Sequence, residues 1–492
     1  MELLLPPLDR HAARPMYDQL YNALRDAILD QRLRPGVKMP STRDLSEQLS
    51  ISRNTVLEAF SRLSAEGYVE AKVGSGTFVT QDLPDSLLSA RAVSTPEQAP
   101  SMNAMISARG KLIAESVPYP TRRWNRLLPF YPGIPSFELF PMNVWRRLVD
   151  RHLNSVVASG LLHYCGSEGL PQLREAIAAY LVTSRGVTCS PDRVIVVAGS
   201  QQAVDLTARV LLDPGDAVWM EDPGWPGARS AFLASGATMI PVPIDNDGLD
   251  LEAAQQRHPG ARLAHVTPSH QFPLGPTMGL VRRLQLLDWA ASSETWILED
   301  DYDSEFRYAG KPLPALQGLD AARRVIYTGT FSKVLFPSLR LGYLVVPESL
   351  IEPFRAAHGI SDRHNPSIDQ AVLADFLAEG HFARHLRRIR AAYGEQQQLM
   401  LQQLRKRLPD ILEVSPDPAG MHLVAWLPPG VDDVAMANAC AAAGVSAPPL
   451  SYYSIEPPKR GALMLGYTGV TRARIKFGMH HLETALRAAL DS

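Results

Sequence analysis

Val325-Ile326-Tyr327-Thr328-Gly329-Thr330-Phe331-Ser332-Lys333 begins apolar and β-branched, passes into a turn of small hydroxyl residues and ends on a lysine. Its opening reads as a strand buried on both faces, the habit of a parallel sheet. Arg340 follows seven residues beyond the lysine, just before a second apolar run over 341–346. Working outward, 194–197, 217–220, 239–242, 263–267 and 295–298 are further short apolar runs, several separated by helical patterns. Strands alternating with helices predict an α/β domain on a large, mostly parallel sheet, whose ligands sit beyond the carboxyl ends of the strands.

Three of these strand ends carry chemistry. The run at 295–298 leads into Glu299-Asp300-Asp301-Tyr302, and that at 325–328 into Thr330, Ser332 and Lys333. The third, Val194-Ile195-Val196-Val197, leads through Ala198-Gly199-Ser200-Gln201-Gln202 into a helical pattern. A small-residue turn entering a helix leaves free N–H groups at the positive end of the helix dipole, an anion site. Taken singly, a lysine after a serine is a solvated surface group and an acidic run an exposed turn. Together at consecutive strand ends, a carboxylate, a tyrosine, a lysine and an arginine meet the needs of pyridoxal 5′-phosphate. That cofactor wants a lysine for its Schiff base, a carboxylate on the pyridinium nitrogen, a donor to the ring hydroxyl, and cationic and N–H donors for its phosphate.

The chain has 492 residues, 46% hydrophobic and 20% charged, which points to a soluble globular protein of more than one domain. Its formal net charge of −2 excludes a global positive field, so any nucleic-acid site must be local. Cys165, Cys189 and Cys440 show no metal-ligand spacing and read as reduced thiols of a cytoplasmic protein. No metal site is expected, since His265 and His270 lack companions at ligand spacing. Prolines interrupt the apolar patch at Leu3 to Leu5, and no stretch is long enough to span or enter a membrane. Texture divides the sequence into a first domain over 10–80, a Pro- and Ser-rich linker over 81–128 (Pro84, Pro96, Pro100, Pro118, Pro120), and a second domain over 129–492. The basic stretch 381–407 reads as a long amphipathic helix with a solvated charged face.

The first domain reads as three helices and a hairpin. Leu20, Leu24 and Ile28 share one helical face; Ser41 or Thr42 caps a short second helix with Leu45 and Leu49; Ser52 caps a third with Val56, Ala59, Phe60 and Leu63. Two short strands then flank Gly74-Ser75-Gly76. The short helix, tight turn and helix opening on polar and basic residues form a helix-turn-helix pattern, with Arg43, Arg53 and Lys72 on one surface if the fold is a winged helix. On the residues alone, a small protein-interaction module fits as well. The run Met39-Pro40-Ser41-Thr42-Arg43-Asp44-Leu45, with Ser52-Arg53-Asn54-Thr55-Val56 and Gly74-Ser75-Gly76-Thr77-Phe78-Val79, closely resembles the GntR-type winged helix. That resemblance implies contacts to double-stranded promoter DNA from Arg43, Arg53 and Thr55, flanked by Ser52 and Asn54, with Lys72 at the wing tip and Gly74 letting the wing approach the minor groove.

In the second domain, Ser332-Lys333 through Pro337, Leu339-Arg340 and Gly342-Tyr343 is similar to the lysine motif of fold-type I aminotransferases. Glu299-Asp300-Asp301-Tyr302-Asp303-Ser304-Glu305-Phe306-Arg307-Tyr308 resembles one branch, the MocR-type regulators, in which a GntR winged helix is fused to this domain. The resemblance implies a large sheet domain with a small C-terminal α+β subdomain and Lys333 as the residue of the internal aldimine. Asp300 would pair with the pyridine nitrogen and Tyr302 with the ring hydroxyl. Arg340, Thr330, Ser332, Ser200 and Gln201 would hold the phosphate, Trp225 would stack on the ring, and Tyr164 would reach the phosphate of a partner subunit in a head-to-tail homodimer. Two departures shape the expected function. Phe272 stands where working aminotransferases carry an asparagine that bonds the ring hydroxyl. Tyr452, in Pro449-Leu450-Ser451-Tyr452-Tyr453, stands where effector-binding relatives carry an arginine that grips a carboxylate. The sequence therefore predicts a regulator that senses pyridoxal phosphate itself or an amine lacking a carboxylate. The rival reading is a working aminotransferase with an appended DNA-binding domain, kept open by the complete Lys333, Asp300, Tyr302 and Arg340 set.

Overall fold

The computed structural model describes residues 14–72, 74–81, 106–116, 128–157, 159–310 and 314–491, with isolated positions at 8, 9, 12 and 83. Contacts divide the chain into two compact units, Met1–Met105 and Ile106–Ser492. The apolar patch at Leu3 to Leu5 lies outside the described residues.

In the first unit, α1 (Met16–Leu29), α2 (Thr42–Leu49) and α3 (Arg53–Ala65) precede the hairpin strands β1 (Val69–Lys72) and β2 (Gly76–Val79). Hydroxyl caps set two of the helix starts. Ser41 Oγ accepts from the Asp44 N–H at 3.1 Å and Ser52 Oγ from the Thr55 N–H at 3.1 Å. Ser50, in the left-handed region at φ 52°, ends α2 and turns the chain into α3. Leu20, Leu24, Ile28, Leu45, Val56, Ala59 and Leu63 close into one buried core. The hairpin pairs Val69 with Val79 and Lys72 with Gly76. The winged helix expected from the sequence is present.

Of the stretch expected as a linker, only 81, 83, 106–116 and 128 are described; its five punctuating prolines lie outside the described residues. The linker reading does not anticipate the helix Ala108–Glu115, which Ser107 caps and which joins the second unit through Arg109 Nε donating to the Ala234 carbonyl at 3.0 Å. Eight residues give too short a periodic signal to stand out between prolines.

The second unit is built on β3 (Val194–Val197), β4 (Ala217–Asp222), β5 (Thr238–Asp245), β6 (Gly248–Leu249), β7 (Leu263–Val266), β8 (Trp296–Asp301), β9 (Val325–Thr330) and β10 (Gly342–Val345). Their order is β3-β10-β9-β8-β7-β4-β5-β6. The run β9-β8-β7-β4-β5 is parallel; β10 lies antiparallel to both β9 and β3, and β6 antiparallel to β5. A separate antiparallel sheet of β11 (Glu413–Val414), β12 (His422–Trp426) and β13 (Ala462–Gly466), with the helices His381–Arg407 and Arg472–Leu490, forms the C-terminal α+β part. The helix His381–Arg407 buries Phe382, Leu386, Ile389, Tyr393, Met400, Leu401 and Leu404, the apolar stripe its sequence promised.

Two strands run further than the apolar runs predict. β8 continues through Asp301 and β9 through Thr330, because their ladder pairs Asp300 with Thr328 and Asp301 with Gly329. The pleat sends alternate side chains to opposite faces, and partners on one face make the acidic residues tolerable there. Glu299 accepts from the Leu316 and Gln317 N–H groups, both at 2.8 Å, while Asp301 Oδ2 accepts from Arg185 Nε at 2.8 Å and from the Tyr327 hydroxyl at 2.5 Å. Burial, eased by Arg283 and aggravated by Asp301, pushes the Glu299 carboxyl up to about 7.

Two expectations follow from this architecture. Leu63→Ala should cost about 3 kcal/mol in the first unit, seen as roughly hundredfold faster exchange of the most protected amides of α1 and α3; unchanged exchange would contradict the core described. Glu299, with a folded pKa of about 7 against an ordinary 4.5, binds a proton on folding between those values. Its unfavourable contribution therefore grows as pH rises from 4.5 through about 7 and is constant above. Glu299→Gln should flatten the fall in denaturation midpoint over this window, and an unaltered slope would count against the burial of a charged Glu299.

Candidate functional site

Asp300, between Glu299 and Asp301, points to the other face of β8. It is buried, its Oδ1 has no hydrogen-bond partner among the described residues, and its Oδ2 lies 3.8 Å from His265 Nε2. An unpartnered buried carboxylate oxygen is costly. A cationic N–H arriving at that face would relieve it. His265, discounted in the sequence for want of metal-ligand spacing, is the neighbour of this carboxylate from β7, where the ladder sets it opposite Leu298.

Lys333 leaves the end of β9 through a turn in which the Ser332 N–H donates to Thr330 Oγ1 at 3.1 Å. Its ammonium donates to the Gly133 carbonyl at 3.0 Å. Burial lowers the Lys333 pKa below its usual range, and Asp303 and Asp300 only partly restore it. A larger share of neutral amine, the nucleophilic form, follows.

Ser200 opens the helix Ser200–Leu211, whose N-cap is Gly199 at φ 97°, with no side chain capping it. The Arg340 guanidinium lies over this glycine, where a Cβ would come within 3.6 Å of Nη1. A bare helix N-terminus under a guanidinium is a cradle for a dianion. Arg340 is itself in the left-handed region, φ 51°. Gln201 turns aside and donates from Nε2 to the Gly227 carbonyl at 2.9 Å, so its backbone N–H rather than its amide is left for an anion.

Tyr302, just past β8, bonds His270 Nδ1 at 3.0 Å. Phe272 packs edge-on against Tyr302, ring centroids 5.5 Å apart, and likewise on Tyr453 and His422, presenting no polar atom. Trp225 precedes the helix Pro226–Ser235 and is half-buried, its ring crowding Gly227 beside Gln201. Tyr164 stands apart from this group within the chain: it is 77% exposed, with His364 edge-on and Arg363 over its ring at 4.5 Å. Tyr452 is 47% exposed, in the short helical turn Leu450–Tyr453.

On the first unit, Arg43, Ser52, Arg53, Asn54, Lys72 and Gly74 are all exposed. Arg43 pairs with Glu47 at 3.1 Å, and Arg53 Nε reaches Thr42 Oγ1 at 3.4 Å. Lys72 pairs with Glu70 at 3.0 Å beneath the wing turn. Such exposed pairs are weak and exchange readily for phosphate. Ser52 and Thr55 bond each other at 2.8 Å besides capping α3, so their hydroxyls serve the helix start first.

Residues 16–79 match the bacterial regulatory proteins of the gntR family, and residues 137–482 the class I and II aminotransferases. The chain is 42% identical to the probable rhizopine catabolism regulatory protein MocR of Rhizobium meliloti, covering 99% of this chain and 96% of that one. It is 33% identical to the HTH-type transcriptional regulator TauR of Rhodobacter capsulatus, covering 95% and 96%. Among solved structures, LysN, an α-aminoadipate aminotransferase of Thermus thermophilus complexed with N-(5′-phosphopyridoxyl)-L-leucine, superposes at a TM-score of 0.69 with 28% identity, over 78% of this chain and 96% of that one. The class I and II aminotransferase fold is pyridoxal phosphate-dependent as a family. With both halves matched and relatives aligned along nearly its whole length, the chain belongs to the MocR-type HTH transcriptional regulators, in which a GntR winged helix is joined to an aminotransferase-like domain.

Proposed function

We propose that this chain is a cytoplasmic, pyridoxal phosphate-dependent transcriptional regulator. It binds promoter DNA through the winged helix as a head-to-tail homodimer and senses the cofactor itself, or an amine lacking a carboxylate, in its second domain. The observation that carries the reading is the buried Asp300 carboxylate with an unpartnered oxygen, on the strand beside the one that leads to Lys333. The residues fit the cofactor's needs. Asp300 would keep a proton on the ring nitrogen, Tyr302 would donate to the ring hydroxyl, and Lys333 would attach the carbonyl. Arg340, Thr330, Ser332 and the N–H groups of Ser200 and Gln201 would take the phosphate, with Trp225 on the ring face. Tyr164, exposed on its own chain, is suited to reach a phosphate in a partner subunit. When bound, the group supplies an electrophilic carbonyl carbon that amines can attack.

Two side chains bear on what is sensed. Phe272 gives the ring hydroxyl no donor, which weakens the case for efficient turnover. Tyr452 offers a single neutral bond where a guanidinium would grip a carboxylate in two. Both favour an amine or the cofactor over a simple amino acid. The linker lets the winged helix respond only if the signal has different affinities for two states of the protein. A second reading, a working aminotransferase with an appended DNA-binding domain, is supported by the Lys333, Asp300, Tyr302 and Arg340 set and by 27% identity to an aromatic-amino-acid aminotransferase of Thermococcus litoralis.

Footprinting on the DNA upstream of the protein's own gene, with and without pyridoxal phosphate, tests the proposal. Wild type should bind specifically and change with the cofactor, Lys333→Ala should lose that response, and Arg53→Ala should lower affinity about tenfold or more. No specific binding under any condition, together with multiple turnovers of an amino donor and a keto acid, would favour the second reading.

A further inference from the structure

His270 is a buried titratable group that the roles above leave unused. It sits beyond the end of β7, and every nitrogen of its ring has a partner: Nδ1 lies 3.0 Å from the Tyr302 hydroxyl and 3.0 Å from Asp303 Oδ2, and Nε2 lies 3.0 Å from Asp417 Oδ2. The enclosure is tight. A Cβ on Gly420 would sit 2.4 Å from His270 Cε1, and one on Gly275 2.3 Å from Asp417 Oδ2. The groups facing the ring are Tyr302 and Asp303 from the segment after β8, Asp417 from the loop before β12, and His422 from β12, with ring centroids 6.2 Å apart. His422 is buried and its pKa is lowered by that burial, so it adds no charge. Burial alone would strip the proton from His270, but Asp303 and Asp417 hold its pKa well above the ordinary range.

The protonation state decides which way the Tyr302 hydrogen bond runs. A bare Nδ1 would accept the phenol proton and turn it away from the cofactor face. A protonated Nδ1 can only donate; its single N–H is shared between Asp303 Oδ2 and the phenol oxygen, both 3.0 Å away, and the phenol no longer gives its own O–H to the ring. Asp303 is the other acceptor within reach of that phenol, and it competes with the cofactor's ring oxygen for the Tyr302 O–H. Burial, with Asp303 and Asp417 nearby, keeps the Tyr302 phenol protonated.

We propose that His270 is a positioning residue: held between the Asp303 and Asp417 carboxylates, it shares its Nδ1–H between Asp303 and the Tyr302 oxygen and so turns the Tyr302 O–H toward the ring oxygen of the cofactor. This rests on the cofactor reading above. With Phe272 silent, Tyr302 is the hydroxyl donor that reading leaves for the ring oxygen, and its orientation is set from behind.

The test is a pH titration of the visible absorbance of full-length protein loaded with pyridoxal phosphate. A donor to the ring oxygen favours the deprotonated form, in which that oxygen carries more negative charge, so losing the donor raises the apparent pKa. Tyr302→Phe and His270→Leu should each raise it by roughly one to two pH units, the weight of one charge-assisted hydrogen bond. The double variant should rise no further than Tyr302→Phe alone. His270→Asn, which keeps an N–H near the Nδ1 position, should restore most of the wild-type value. Asp417→Asn, a milder change at the edge of the cluster, should give a smaller rise in the same direction. A His270→Leu protein that titrates like wild type while Tyr302→Phe shifts, or shifts that add in the double variant, would overturn the proposal. Wild type that takes up no cofactor would instead bring down the cofactor reading, and this inference with it.

Discussion

The parallel ladder between β8 and β9 sets Asp300 opposite Thr328 and Asp301 opposite Gly329, and the arrangement of the second unit depends on that register. A slip of one residue would exchange the faces of Glu299, Asp300 and Asp301. It would bring Asp301 away from Arg185 and Tyr327 and leave Glu299 without the Leu316 and Gln317 N–H groups. Glu299, bonded through both oxygens, and Asp301, bonded through Oδ2, thus lock the position of Asp300, whose Oδ1 has no partner among the described residues and whose Oδ2 is 3.8 Å from His265. The same register fixes where β9 ends, and with it the turn that carries Lys333.

Electrostatic demand is distributed unevenly between the two faces of this sheet. On one face backbone N–H groups bond both Glu299 oxygens and Arg185 and Tyr327 bond Asp301 Oδ2, and these contacts are structural. On the other, Asp300, with only His265 at 3.8 Å, and the helix N-terminus beneath Arg340 present charge with little compensation among the described residues. Exposed pairs on the winged helix, Arg43 with Glu47 and Lys72 with Glu70, are of a third kind, weak enough to be traded for phosphate. Buried and unsatisfied, or exposed and loosely paired, are the two conditions under which a charged group is available for a ligand.

Much of this was legible in the sequence. Helix caps at Ser41 and Ser52, the periodic stripe of α3 and the Gly74 turn are local signals, and the winged helix follows from them. The acidic run and the lysine turn stood out because polar residues rarely follow fully apolar strands so closely. Period-2 alternation could not say how far β8 and β9 continue past their apolar segments, since that is decided by cross-strand pairing and by Arg185, 116 residues away in sequence from Asp301. The roles of His265 and His270 are hidden from the sequence for a similar reason. Their spacing speaks only to metal ligation, whereas their partners, Asp300, Asp303 and Asp417, are brought to them by the sheet and by a loop of the C-terminal part. The helix Ala108–Glu115 leaves little trace in the sequence because its eight residues sit in a stretch whose prolines dominate the local pattern.

Lys333, with Asp300 beside it, is where we propose this chain receives pyridoxal phosphate. Reduction of the cofactor-loaded protein with borohydride, followed by mass-spectrometric mapping of the pyridoxyl adduct, tests it most directly. The account predicts a single stoichiometric adduct on Lys333, sharply reduced in Asp300→Ala. An adduct scattered over surface lysines, or none at all, would contradict it.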